Sequence, residues 1–262
     1  MISSEFIGLL DSGVGGLSVL AQLKNLMSEK NYIYFGDTKN IPYGTKNPEE
    51  ILEYTTKILN FFVEKNVKNV VIACNTTSAV AYNELKELFC GKLNIFPLIQ
   101  SVAKYSISNL KDNDTIAILA TKATINSKKY EEEIKKINPK INTIGIDCTG
   151  FVEIVENRLY EAPESIALIK EKLQIAKENN AKKIILGCTH YPYLEHIFKE
   201  ILDVEYFNPA ICLAQIVKEN IAFKEELNQS KTIFYASKNP QEFSLSAKTF
   251  FDVKNVELAD IT

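Results

Sequence analysis

The sequence lacks the features that mark membrane proteins and nucleic-acid-binding proteins. Its 262 residues contain no apolar run near the roughly 20 residues that span a bilayer, so we expect no membrane segment. With 30 Lys and Arg against 33 Asp and Glu, the formal charge of −3 gives no broad basic surface for nucleic acid. The stretch MISSEFIGLLDSG has no basic residue ahead of its short apolar run, so we expect no secretory signal and a cytoplasmic location. These absences favour a protein that binds or converts a small molecule.

Cysteine is scarce and irregularly spaced. The five cysteines are an odd number without a disulfide framework, which predicts free thiols in a reducing compartment. The absence of a C-x-x-C motif disfavours a disulfide redox site. Cys90 and Cys212 have apolar neighbours without a polar constellation, and Cys148 lies in the stretch IGIDCTG; we predict that each of the three is a small buried hydrophobe. Cys74 and Cys188 differ, because polar residues follow both of them.

Strand-like apolar runs alternate with amphipathic helical runs, a pattern typical of parallel sheets covered by helices. The length favours two domains. The best-specified helix starts after Asn47, which forms a capping-box pattern with Pro48 and Glu50. A second helix is predicted from near Pro163 to near Asn180. The predicted strands are Phe6–Leu10, Tyr32–Phe35, Val70–Ala73, Ile95–Ile99, Thr115–Leu119, Ile141–Ile146, Ile184–Leu186 and Val204–Phe207.

An internal repeat divides the chain into two related halves. Residues 66–74, NVKNVVIAC, align without a gap with residues 180–188, NAKKIILGC, and each copy ends a buried strand on a cysteine. A weaker match relates Phe6–Ser12 to Thr115–Thr121. We therefore predict an α/β fold of two similar domains with mainly parallel sheets. The first is placed at residues 1–99 and 208–262, and the second at residues 100–207.

A glycine-rich loop follows the first predicted strand. Gly13 and Gly15 match two positions of a dinucleotide-binding fingerprint, and Asp37 lies near the position of its acidic residue. The match is incomplete, because Ser18 occupies the third glycine position and Asp11 would repel a pyrophosphate. Alternatively, the loop lets backbone N–H groups at a helix start approach a small anion or an amino acid.

Two cysteine motifs, CNT at residues 74–76 and CTH at residues 188–190, each follow a predicted strand, where open parallel sheets bind ligands. A thiol can act as an acid or a base near neutral pH once its surroundings lower its pKa from about 8.5. Two buried structural cysteines are the plainer alternative. A zinc site formed by Cys74, Cys188 and His190 is another, but no fourth soft ligand is evident.

Other polar candidates are weaker. The backbone N–H groups of Tyr43 and Gly44 can face a carboxylate, although a plain surface turn is an equal alternative. Of the two histidines, His190 is favoured as functional by its position beside Cys188. His196 is predicted to be structural or exposed.

Five motifs, in order along nearly the whole chain, resemble signatures of the glutamate racemase family: LDSGVGGLSVL, IPYGTK, VVIACNTTSA, ILATKATI and IILGCTHYP. The CNT and GCTHYP motifs are similar to the wider aspartate/glutamate racemase superfamily, whereas GVGGLSVL and IPYGT resemble the glutamate branch. The resemblance implies two α/β domains related by pseudo-twofold symmetry, with the active site in the cleft between them. It also implies a homodimer that racemises glutamate without pyridoxal phosphate or a metal and supplies D-glutamate for peptidoglycan.

The same resemblance implies roles for individual residues. Cys74 acts on D-glutamate with help from Asp11, and Cys188 acts on L-glutamate with help from His190. Mirror-image substrates need equivalent acid–base groups on opposite faces, which duplicated halves supply. Binding roles are implied for Ser12 at the amino group, Asn75, Thr76 and Thr189 at the α-carboxylate, Tyr43 and Gly44 at the side-chain carboxylate, and also for Asp11, Thr121, Thr124 and His190.

Two positions depart from the family pattern. The stretch FVEIVE aligns Glu156 with a catalytic family glutamate, while Glu153 replaces a proline and leaves the local backbone in question. Lys238 replaces a common glycine and is expected to touch no assigned group. Two other functions stay open: a racemase of the same superfamily acting on aspartate or another amino acid, which the IPYGT motif disfavours, and a two-domain protein that binds an amino acid without chemistry.

Overall fold

The computed structural model describes residues 6–221, 230–248, 250–253 and 255–261. Within these ranges the chain forms two parallel sheets flanked by helices, and the predicted α/β class is confirmed. Parts of the predicted first domain, including residues 1–5 and 222–229, lie outside the described residues. The domain boundaries themselves stay a prediction.

The strands of the described chain divide between two sheets. They are β1 Phe6–Asp11, β2 Asn31–Gly36, β3 Asn69–Ile72, β4 Asn94–Pro97, β5 Thr115–Ala120, β6 Asn142–Asp147, β7 Ala181–Gly187, β8 Glu205–Phe207, β9 Thr232–Ala236 and β10 Val256–Leu258. One sheet has the order β10-β9-β2-β1-β3-β4, and the other has the order β6-β5-β7-β8. The order β2-β1-β3-β4 matches β6-β5-β7-β8, so the sequence repeat corresponds to a repeated strand order.

The helices lie between the strands and cover the sheets. They are α1 Leu17–Leu26, α2 Pro48–Glu64, α3 Asn75–Val80, α4 Tyr82–Leu88, α5 Leu98–Ser106, α6 Lys122–Ser127, α7 Lys129–Ile137, α8 Phe151–Glu156, α9 Pro163–Glu178, α10 Glu195–Ile201, α11 Pro209–Asn220 and α12 Pro240–Ala247, with 3-10 turns at Tyr43–Thr45 and Tyr191–Leu194. Among the described residues, no helix is long and apolar enough to cross a membrane.

Local sequence explains the best-specified helix. The N–H of Glu50 donates to Asn47 Oδ1 over 2.8 Å, and the Glu50 carboxylate accepts from the N–H of Asn47 over 3.2 Å. This reciprocal pair satisfies two N–H groups at the helix start, as the capping-box prediction requires. On its inner face, Ile58 and Phe62 are fully buried against β1 and β3, and each such burial favours folding by roughly 1.5–3 kcal/mol.

The predicted strand Ile95–Ile99 is wrong at its end. β4 stops at Pro97, and Leu98 and Ile99 begin α5, because an extended proline at the helix start turns the chain out of the sheet. The sequence analysis also missed β9 and β10, of which β10 is a three-residue edge strand with mostly exposed side chains.

The cysteine predictions have mixed outcomes. Cys148 is buried, as predicted. The prediction for Cys90 is wrong: its side chain is exposed, because it lies after the end of α4 in the turn that precedes Gly91. Cys212 is only partly buried, because it lies toward the edge of the face that α11 packs on the core. His196 is exposed, with its ring edge toward Tyr160, as predicted.

Candidate active site

Residues that follow the carboxyl ends of strands in both sheets line one cavity of about 280 Å³. This volume suits a small ligand. Most of the residues that the sequence singled out line this cavity: Ser12, Tyr43, Gly44, Cys74, Asn75, Thr76, Thr121, Glu156, Cys188, Thr189 and His190. The structure therefore brings the two cysteine motifs together from separate sheets. The wall also contains Lys122, Cys148, Thr149, Val152 and Glu153, to which the sequence analysis gave no binding role.

Cys74 follows β3 and precedes the first residue of α3, and its side chain is buried. Its Sγ lies 4.0 Å from Ser12 Oγ. Burial, reinforced by the negative charge of Asp11, raises the pKa of Cys74 to about 11, against the effect of the Thr77 backbone N–H. The expectation that the surroundings lower the pKa of this thiol is therefore wrong for Cys74, because desolvation outweighs the helix start.

Cys188 follows β7 and is the first member of a chain of three side chains. Its Sγ lies 3.7 Å from His190 Nδ1, and His190 Nε2 lies 2.9 Å from Glu156 Oε1. Burial opposes charge on His190, but the contacts with Cys188 and Glu156 outweigh it and raise its pKa to about 10. An imidazolium held in this way can donate one hydrogen bond to Glu156 and one to the sulfur whenever the sulfur is negative.

Asp11 is buried behind the cavity wall and does not line the cavity. Its Oδ2 accepts a hydrogen bond of 3.0 Å from the N–H of Gly13, while Oδ1 has no partner among the described residues. Burial raises the pKa of this carboxyl, although the positive charge of His190 opposes the rise. Asp11 is thus placed to act on Cys74 and His190 through charge.

Asn75 is oriented by a residue that the sequence analysis missed. The buried Tyr130, on α7, donates its hydroxyl proton to Asn75 Oδ1 over 2.8 Å. Because the oxygen is engaged by Tyr130, the amide Nδ2 of Asn75 remains available to a ligand in the cavity. Nothing in the local sequence around Tyr130 signals this contact.

Three threonine hydroxyls meet at the wall. Thr76 Oγ1 lies 3.0 Å from Thr121 Oγ1 and 3.3 Å from Thr124 Oγ1, and the latter two lie 3.1 Å apart. Thr124 is buried behind the wall and does not line the cavity, so it contacts the other two hydroxyls from behind. These hydroxyls connect α3, which follows the six-stranded sheet, to α6 beside the four-stranded sheet.

Tyr43 and Gly44 begin a 3-10 turn in which the Tyr43 side chain is buried, whereas Gly44 is partly exposed. Tyr43 donates a hydrogen bond of 2.6 Å to Asp37 Oδ2, and Ser237 donates one of 2.6 Å to Asp37 Oδ1. Asn40 donates to both oxygens. Asp37 is fully buried with its oxygens engaged, so it cannot bind a ribose as the dinucleotide hypothesis requires.

The two departures from the family pattern lie near Glu156. Glu153 sits within the regular helix α8 and lines the cavity, so its presence does not disrupt the local backbone. Lys238 lies outside the main cavity, but it lines a neighbouring cavity of about 280 Å³ together with Glu156. The two residues share this cavity because the loop after β9 approaches the end of α8, and the expectation that Lys238 touches no assigned group stays a prediction.

A metal site finds no support in the described part of the chain. No three His, Cys, Asp or Glu side chains there are placed to hold one ion together. The alternative zinc site of Cys74, Cys188 and His190, which the sequence already disfavoured, therefore does not form a coordination group in these described residues. The cavity presents three thiols, from Cys74, Cys148 and Cys188, together with the charged imidazole of His190, hydroxyls, an amide, two carboxylates and one lysine.

A comparison with protein families supplies the deciding observation. The family model described as Asp/Glu/Hydantoin racemase matches residues 7–217. The chain belongs to the Asp/Glu/hydantoin racemase family. The resemblance found in the motifs is thereby confirmed.

Relatives of this racemase-family chain cover nearly its whole length. Glutamate racemase 2 of Caldanaerobacter subterraneus is 39% identical over 254 residues, which cover 94% of this chain and 93% of the relative. The glutamate racemase of Thermoanaerobacter pseudethanolicus is 37% identical over 271 residues, covering 99% of each chain. The crystal structure of Francisella tularensis glutamate racemase in complex with D-glutamate has a TM-score of 0.89 at 29% identity, covering 98% of both chains. The two-sheet architecture is therefore that of solved racemases.

Proposed function

We propose that this racemase-family enzyme interconverts L- and D-glutamate without a cofactor, using Cys74 and Cys188 as its two acid–base groups. One observation carries the proposal. The two thiols follow equivalent strands, β3 and β7, in separate sheets, and both line a single cavity of about 280 Å³. A molecule bound there therefore has Cys74 available to it from the six-stranded sheet and Cys188 from the four-stranded sheet. The names of the relatives support glutamate as that molecule.

The proposed reaction is a proton exchange at Cα. The thiolate of one cysteine removes the α-proton and leaves a carbanion, and the thiol of the other cysteine delivers a proton to the opposite face. The enzyme ends with the two protonation states exchanged, so atoms and charge balance. The raised pKa of Cys74 keeps its proton in place near neutral pH. This suits Cys74 as the donor when Cys188 deprotonates L-glutamate, and the reverse step begins from a Cys74 thiolate acting on D-glutamate.

Neighbouring groups support each cysteine in the proposal. His190, backed by Glu156, stabilises negative charge on Cys188, and Asp11 acts electrostatically on Cys74. The remaining predicted residues bind substrate: Ser12 at the amino group, with Asp11 and His190 nearby, Asn75, Thr76 and Thr189 at the α-carboxylate, Tyr43 and Gly44 at the side-chain carboxylate, and Thr121 and Thr124 through their hydroxyl cluster.

The proposal also covers the cellular role of the enzyme, its location, its assembly and its domain division. The enzyme supplies D-glutamate for peptidoglycan, works in the cytoplasm as a homodimer, and has neither nucleic acid nor membrane as a partner. We also keep the domain division at residues 1–99 with 208–262 and at residues 100–207, because the two sheets draw their described strands from these ranges.

The direct test follows the optical activity of the purified protein's substrates by circular dichroism. We expect L-glutamate and D-glutamate each to relax to the racemic mixture, while L-aspartate keeps its signal. Cys90→Ser serves as the control variant, because this exposed thiol lies away from the cavity. Racemisation of aspartate in preference to glutamate would indicate the other branch of the family. Glutamate binding without any change of signal would contradict the enzymatic proposal.

A further inference from the structure

Gly15, a residue of the glycine-rich loop that has no role in the proposed reaction, lies against the second cysteine motif. A Cβ atom built on Gly15 would lie 2.4 Å from Thr189 Oγ1 and 2.4 Å from His190 Cε1. Real Cβ atoms do not approach other atoms so closely, so a side chain at position 15 would displace one of these groups. The loop that resembles a phosphate-binding motif therefore packs on protein.

Ser18, the residue that breaks the dinucleotide fingerprint, makes the second contact with the same segment. Its Oγ donates a hydrogen bond of 2.9 Å to the carbonyl oxygen of Thr189, and the bond is buried. Ser18 lies in the first turn of α1, on the side of the six-stranded sheet, whereas Thr189 follows β7 of the four-stranded sheet. The bond therefore crosses from one half of the molecule to the other.

We propose that Gly15 and Ser18 are positioning residues that hold the Thr189–His190 segment of the opposite half. Neither residue touches the reacting atoms. Gly15 leaves room for the His190 ring, and Ser18 fixes the carbonyl between Cys188 and His190. The catalytic consequence rests on the proposed function, because it concerns the acid–base group that acts on L-glutamate.

The geometry around His190 explains why the segment must be held. The ring makes contacts in two directions, with Nδ1 3.7 Å from Cys188 Sγ and Nε2 2.9 Å from Glu156 Oε1. A small rotation of the backbone at Thr189 changes both distances. The charges of Asp11, Cys188 and Glu156 all act on the ring. Without the Ser18 hydroxyl, the buried Thr189 carbonyl loses its donor and the segment is free to shift.

Nuclear magnetic resonance of the histidine rings tests the contact without requiring turnover. The chain has two histidines, so ¹⁵N-histidine labelling gives two ring systems, which His196→Gln assigns. We expect Ser18→Ala to lower the titration midpoint of His190 by roughly one unit as its partners move away. The control is Ser106→Ala, which removes a buried hydroxyl bonded over 2.7 Å to the Ala103 carbonyl within α5. A His190 titration in Ser18→Ala that equals those of Ser106→Ala and the wild type would overturn the proposal.

Kinetics provide the second readout. Because two enantiomers are equally stable, kcat/KM must fall equally in both directions, and we expect a loss of roughly 10- to 100-fold in Ser18→Ala. With substrates deuterated at Cα, the isotope effect on kcat/KM should rise for L-glutamate and fall for D-glutamate, because the Cys188 step alone is slowed. Gly15→Ala should lower kcat/KM and change the two isotope effects in the same directions as Ser18→Ala. Unchanged isotope effects in both variants would contradict the positioning role, whereas a wild type inactive on glutamate would instead contradict the proposed function.

Discussion

The hydroxyl of Tyr130 donates a hydrogen bond of 2.8 Å to the side-chain oxygen of Asn75. The two residues lie on α7 and α3, which accompany different sheets. The bond engages the oxygen end of the Asn75 amide, which leaves the NH2 end to donate to a ligand. An amide free to rotate would present its oxygen to a substrate carboxylate for part of the time, and two acceptors repel.

Tyr130→Phe therefore should weaken substrate binding more than it slows turnover. We expect KM to rise roughly 3- to 10-fold for both enantiomers, which corresponds to the loss of one hydrogen bond of about 1 kcal/mol. Steady-state kinetics of the variant measure this. Tyr105→Phe is the matched control, because Tyr105 is 45% exposed and lies outside the cavity wall. Equal KM values in the two variants would show that Tyr130 does not orient Asn75.

The sequence predicts the parts of the candidate site that a local motif marks, and it misses the contacts that depend on how distant helices pack. Cys74 and Cys188 each follow a buried strand, and strand ends in parallel sheets converge, so their motifs indicate the site directly. The contact between Tyr130 and Asn75 depends instead on how α7 packs against α3, and no local pattern records that packing. The Ser237–Asp37 bond, between residues 200 positions apart, is hidden for the same reason.

The protonation of Cys74 shows a second limit of sequence reasoning. A thiol at a helix start suggests a lowered pKa, yet burial raises the pKa of Cys74 to about 11. Desolvation depends on every atom around the sulfur, and a motif reports only its neighbours along the chain. The edge strand β10 was missed for a related reason, because its mostly exposed side chains carry little apolar pattern.

Glu156 should set the pH range over which His190 stays charged. Glu156→Gln keeps the shape of the side chain but removes its charge, so the alkaline limit of kcat/KM should move to lower pH by about half a unit to one unit. A pH profile of glutamate racemisation from pH 6 to 10.5 measures the shift. Glu153→Gln is the control, because Glu153 lines the same cavity and has no contact with His190 among those of the described residues. Superimposable profiles of the two variants would contradict the role of Glu156.

His190 should also contribute stability that depends on pH. Its pKa is raised from 6.5 to about 10 in the folded chain, so its contribution is complete below pH 6.5 and is lost as the pH rises through about 10. We expect His190→Gln to lower the free energy of unfolding by roughly 1.5–3 kcal/mol at pH 6, the value of a hydrogen bond to a charged group. Urea unfolding at pH 6, 8 and 10 should show this difference shrinking.

The exposed His196 supplies the control for that experiment. His196→Gln should change the unfolding free energy far less, because the His196 side chain is exposed. A His190→Gln difference that grows toward pH 10 would have the wrong sign and would contradict a charged His190 in the folded enzyme.

The fate of the α-proton in heavy water tests the two-cysteine mechanism most directly. With wild-type enzyme and L-glutamate at early conversion, we predict that the D-glutamate formed carries deuterium at Cα, while the remaining L-glutamate keeps its proton. This follows because, in the proposed mechanism, one cysteine removes the proton and the other delivers a solvent-derived deuteron from the opposite face. D-glutamate that retains the original proton, or L-glutamate that gains deuterium as fast as product forms, would show that one group works on both faces and would contradict the account.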